Sequence, residues 1–150
     1  MEPTAILPAY MDELKTQGNI RVLAHSEQRI VYQVDCVDGI GTVEVITLFP
    51  GVVLQFHSFH CKSFHLSESK EVGNSLKINY CTEGRMEVRM SDNLFLFMEP
   101  GNLSLDVRTA QDSFQFPCGH YHGVELLFHS STLNRDAPEL LKNVEVDGKQ

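Results

Sequence analysis

Residues 76–90, LKINYCTEGRMEVRM, constrain the fold more than any other part of the chain. Leu76, Ile78 and Tyr80 recur at every second position before Glu83-Gly84. After it, Met86, Val88 and Met90 alternate with Arg85, Glu87 and Arg89. Alternation at period two on both sides of a turn residue predicts a half-buried antiparallel pair of strands hinged on Gly84.

The same period runs through most of the chain. It predicts strands over 20–24, 30–35, 42–49, 52–59, 94–98, 103–108, 112–117 and 123–130. Turn signals separate them: Asp38-Gly39-Ile40-Gly41, Pro50-Gly51 and Pro100-Gly101-Asn102, with a polar loop over 68–75. Helix is expected in two short pieces only. One covers 10–17 and stops at Gly18, and the other lies over 137–142 with Pro138 in its first turn. About ten short strands at even spacing and almost no helix predict an all-β sandwich or barrel.

Composition narrows the partners. The formal net charge is -8, and the 12 Lys and Arg are scattered, so the chain by itself lacks the clustered cations that grip a phosphate backbone. No apolar run approaches a membrane span, and the N-terminal residues do not read as a secretory signal. The four cysteines, at 36, 61, 81 and 118, form no C-x-x-C. Free thiols in a reducing cytoplasm are therefore expected. One domain of this length buries a sizeable core.

Residues 78–88, 94–105 and 114–128, with 52–60 upstream, resemble the N-terminal regulatory domain of AraC-type transcriptional regulators. Asn79-Tyr80-Cys81 before Glu83-Gly84-Arg85, and the run from Pro117 to Gly123 with Tyr121, carry most of the likeness. The resemblance implies a cupin-like double-stranded β-helix or jelly-roll barrel, with an arm at 1–18, the barrel at 19–130 and a short helix near 136–143. It also implies a non-catalytic domain that binds a small-molecule effector and forms a homodimer. DNA would be contacted only through a helix-turn-helix domain, which this chain does not contain, and no membrane or cofactor is involved.

Ligand binding needs apolar walls and a few directing polar groups. Phe56, Phe59, Tyr80, Phe114, Phe116 and Tyr121 are the candidate walls. The expected ligand-binding residues are His60, Lys77, Asn79, Tyr80, Arg85, Glu87, Tyr121 and His122. Which face of residues 76–80 looks inward is open: the apolar period favours Leu76, Ile78 and Tyr80, whereas the cupin likeness favours Lys77.

Two rivals stand beside this reading. His120 and His122 are two apart, so on an extended segment they point the same way and can share a metal ion, as in a metal-dependent cupin enzyme. Against it, metal-dependent cupins place a Glu where this chain has Lys77, and their His positions fall near Val72 and Asp112. Cys118 beside His120 or His122 is a weak candidate for nucleophilic catalysis. The other rival is a partner-binding β-domain with a filled core and no ligand.

Overall fold

A computed structural model of the chain describes residues 15–65, 75–89, 95–106 and 113–129. Eleven strands run in the order β1 (Ile20–His25), β2 (Arg29–Cys36), β3 (Gly39–Phe49), β4 (Val52–His60), β5 (Ser63–His65), β6 (Ser75–Gly84), β7 (Met86–Arg89), β8 (Phe95–Met98), β9 (Leu103–Asp106), β10 (Ser113–Gln115) and β11 (Tyr121–His129). They form a seven-stranded sheet, β1-β2-β3-β4-β11-β6-β9, and a four-stranded sheet, β5-β10-β7-β8. Every pairing is antiparallel. This architecture is consistent with the expected cupin-like barrel. No helix stands among the described elements, and both expected helical segments fall largely outside the described residues.

The expected hairpin around Gly84 does not form. β6 pairs with β11 and β9 in the large sheet, whereas β7 pairs with β10 and β8 in the small one. Gly84 has a φ of 78°, and a Cβ there would strike the carbonyl of His120. A residue without a side chain is therefore required, and the chain uses it to pass from one sheet to the other rather than to fold back. The turn expected over 38–41 is also shorter than predicted. It is made at Val37 and Asp38 (φ 56°), and Gly39 and Gly41 are already in β3. β5 has no counterpart among the expected strands.

The two sheets close over one core. Ile30, Val34, Val43, Val45 and Val53 from the large sheet meet Val88, Met98 and Phe114 from the small one. Aromatic rings bridge them. Phe64 stacks on Phe114 at 4.6 Å and on Phe59 at 4.8 Å, and Phe116 stacks between Phe59 (5.1 Å) and Tyr121 (5.7 Å). Phe59, Phe114, Phe116 and Tyr121 are thus mutual packing partners in the core. Gly41 makes room for this stack, because a Cβ there would overlap the Phe59 ring.

Candidate functional site

Strand register decides which side chains share the interior. Tyr121, Gly123, Glu125 and Leu127 alternate into the core from β11. Opposite them on β4 stand Phe59, His57, Gln55 and Val53. On β6, Cys81 lies opposite Gly123, Asn79 opposite Glu125, and Lys77 opposite Leu127. Cys81 is fully buried, so Lys77 and Asn79, at period two from it, share its inward face. This settles the orientation of β6: Lys77 and Asn79 look in, and Ile78 and Tyr80 look out.

The consequence is a polar band across the inner wall. One register row reads Ile30, Val45, Gln55, Glu125, Asn79, Ser104, from β2 to β9. Four consecutive members are polar, continuing a row that begins with the aliphatic Ile30 and Val45. Gln55 keeps only 5% of its surface exposed and Glu125 only 9%. Burying a carboxylate and a carboxamide costs stability unless they gain partners, so a purely structural layer would be apolar here.

His57 and Lys77 flank this band. His57 Nε2–H donates to Gln55 Oε1 at 3.3 Å. His57 itself is half-buried. Burial lowers its pKa, the Glu125 carboxylate partly restores it, and the Lys77 ammonium lowers it again. His57 is therefore a neutral imidazole at pH 7, within electrostatic reach of one acid and one base. Burial raises the Tyr121 phenol well above its ordinary value, with Cys81 and Glu125 adding to the shift, so its hydroxyl stays protonated. Tyr121 lies back over Gly123, where a Cβ would press into its ring and hydroxyl.

Of the expected ligand-binding residues, Lys77, Asn79 and Tyr121 belong to the interior. Tyr80 is exposed on the outer face of β6. Arg85 and Glu87 form an ion pair with Nε–Oε1 at 3.1 Å. Arg85 also binds the Glu99 carboxylate and lies over the Phe97 ring at 4.5 Å. This cluster sits on the outward side of the small sheet, since Val88 next to Glu87 and Met98 next to Phe97 are the buried residues. His60 and His122 lie on the outer side of β4 and β11, because their neighbours Phe59 and Tyr121 are buried. Gln55, His57, Glu125 and Ser104 were not among the expected residues. Of these only Glu125 left a signal, as the lone acid in Gly123-Val124-Glu125-Leu126-Leu127-Phe128.

The rival constellations fare differently from their sequence readings. His122 pairs with His60, with Nε2 atoms 3.2 Å apart, whereas the His120 ring lies 6.3 Å from that of His122. Among the described residues no three His, Cys, Asp or Glu side chains converge on a point. The Lys77 ammonium, on the same inner face as Glu125 and Asn79, disfavours a metal cation there. His120 Nδ1 lies 3.4 Å from the Cys118 carbonyl oxygen, a contact with the backbone rather than with a thiol.

The outer face of the same sheet is unusually apolar. The row Phe56, Val124, Tyr80, Leu103 runs beside the row Leu54, Leu126, Ile78, Leu105. Leu103 and Leu105 are each 66% exposed. β6 is thus inverted relative to a simple half-buried strand, with its polar residues inside and its apolar ones outside. Among the described residues no helix is long and apolar enough to cross a membrane.

No known protein family and no curated protein matches the sequence. Solved structures of similar shape are cupin-domain proteins. A Clostridium difficile EutQ protein is 15% identical, with a TM-score of 0.46 over 59% of this chain and 69% of its own. The Cupin_2 domain of an XRE family transcriptional regulator from Enterobacter cloacae is 10% identical, with a TM-score of 0.48 over 59% of this chain and 96% of its own. Ectoine synthase from P. lautus is 14% identical, with a TM-score of 0.49 over 65% of this chain and 68% of its own. The likeness is one of fold alone. The expectation that the chain is not an enzyme does not stand, because proteins of similar shape include an enzyme beside a regulator's domain.

Proposed function

We propose that the chain is a cupin-like barrel that binds a small polar molecule against the inner band of Gln55, Glu125, Asn79 and Lys77, as an effector domain of the AraC-type regulatory kind. The observation that carries this reading is the buried band itself. Amide groups, a carboxylate and an ammonium on adjacent strands offer donors and acceptors in fixed positions, which is how a small pocket orients a hydroxyl- or amine-bearing ligand. The aromatic stack of Phe59, Phe116 and Tyr121 lies on the same inner side of the sheet, further along β4 and β11. A thermal-shift screen of sugars, small acids and aromatic metabolites tests the proposal, because a ligand of the folded state raises the melting temperature.

A second reading has one observation in its favour. Neutral His57, whose imidazole feels both the Glu125 carboxylate and the Lys77 ammonium, is equipped to move a proton. A compound that binds is incubated with the protein and examined by NMR. Its recovery unchanged supports binding alone, and its conversion, lost in His57→Gln, supports catalysis.

The homodimer is proposed through the outer face of β11, β6 and β9. In a chain with a net charge of -8, the rows through Tyr80 and Ile78 carry no charge from β4 to β9. Two copies therefore meet there without like-charge repulsion while burying Leu103 and Leu105.

A further inference from the structure

We propose that His60 and His122 form a two-imidazole chelate for a late first-row divalent metal ion, of the Ni²⁺, Cu²⁺ or Zn²⁺ class, on the outer side of the large sheet. The two residues are 62 positions apart in sequence and are brought together by the β4–β11 pairing. His122 stands opposite Ser58, and His60 lies two positions further along β4 on the same face. Their Nε2 atoms are 3.2 Å apart and their rings are nearly perpendicular, at 88°.

That separation is what one shared ion requires. At metal–nitrogen distances of about 2.0–2.1 Å, two nitrogens on one ion are about 2.9 Å apart at a right angle and about 3.4 Å apart at the tetrahedral angle. Imidazole is the side chain best suited to these ions. Both rings ride on central strands of the sheet, so the bite is fixed before the ion arrives and little ordering is needed on binding. With no third His, Cys, Asp or Glu converging among the described residues, the remaining coordination positions stay open to water or an added ligand. The site is separate from the interior band, since both ligands lie on the opposite side of the sheet from Gln55 and Glu125.

Ni²⁺ titrated by calorimetry into the full chain tests the proposal, with the melting temperature followed in parallel. One equivalent is expected to bind and to raise the melting temperature. His60→Gln and His122→Gln are each expected to weaken that binding at least about tenfold, the scale at which metal-site changes are felt. His120→Gln is expected to leave it unchanged. Metal-free melting of every variant establishes that it folds, and either His60 or His122 variant alone suffices for the reading. No binding by the wild type at millimolar Ni²⁺ would overturn the proposal. So would unchanged binding in a folded His60→Gln or His122→Gln protein, or loss confined to His120→Gln.

Discussion

Glu125 on β11 and Gln55 on β4 stand directly opposite each other on the buried face of the large sheet, one carboxylate against one carboxamide, with Asn79 completing the row on β6. A layer built only for stability would place branched aliphatic side chains there. Glu125→Met and Gln55→Leu are therefore expected to leave the ligand-free protein as stable as the wild type or more so, by up to about 1 kcal/mol. Urea unfolding measures this. A loss above about 2 kcal/mol in both variants would mark the band as structural.

Gly41 is the position where the aromatic stack is least forgiving. A methyl group there overlaps the Phe59 ring, and that ring is held between Phe64 and Phe116. Gly41→Ala is expected to cost about 1–3 kcal/mol through overpacking. The urea midpoint falls accordingly, with little change in slope.

The half-buried His57 gives stability a definite pH dependence. Its folded-state pKa lies below its ordinary value of 6.5, chiefly because burial disfavours the imidazolium. The unfolded chain therefore binds a proton that the folded chain resists, and the stabilisation is complete above about pH 6.5 and lost as pH falls toward the folded value. Melting temperatures between pH 8 and pH 5 are expected to decline in the lower part of that range. His57→Gln flattens this decline; an equally steep profile in the variant would remove His57 from the account.

The cysteines separate by accessibility. Cys61 and Cys81 are buried, and Cys118 is exposed. Burial and the neighbouring Cys61 push the Cys36 thiol up to about 12, and burial raises Cys61 and Cys81 as well. A thiol-specific disulfide reagent such as DTNB is expected to modify Cys118 rapidly in the folded protein and the other three only on unfolding. Rapid native-state reaction at Cys36 or Cys81 would contradict this.

On the outer face, Leu105→Lys is expected to convert a dimer into a monomer in analytical ultracentrifugation without lowering stability. Its side chain is 66% exposed, so nothing in the fold depends on it. A wild type that sediments as a monomer would remove the dimer proposal.

Strands were legible because alternation needs no knowledge of partners. The partner of β6 was not, since Gly84 offers a positive φ that serves a hairpin and a passage between sheets equally well. Lys77, Asn79 and Tyr121 were legible as interior candidates. Gln55 and His57 were hidden because β4 carries apolar side chains on both faces: Val53 and Phe59 point in, and Leu54 and Phe56 point out. That double-sided pattern erases the alternation from which an inward polar residue would stand out. The same outer apolar rows made Tyr80 look like an interior residue.

Binding in the interior is the central claim, and one paired measurement tests it most directly. The small-molecule thermal-shift screen is run on the wild type and, in parallel, on Glu125→Met. The account predicts that at least one polar compound raises the wild-type melting temperature and that the same compound fails to do so in Glu125→Met. An equal rise in both proteins, or no compound shifting the wild type at millimolar concentration, would contradict it.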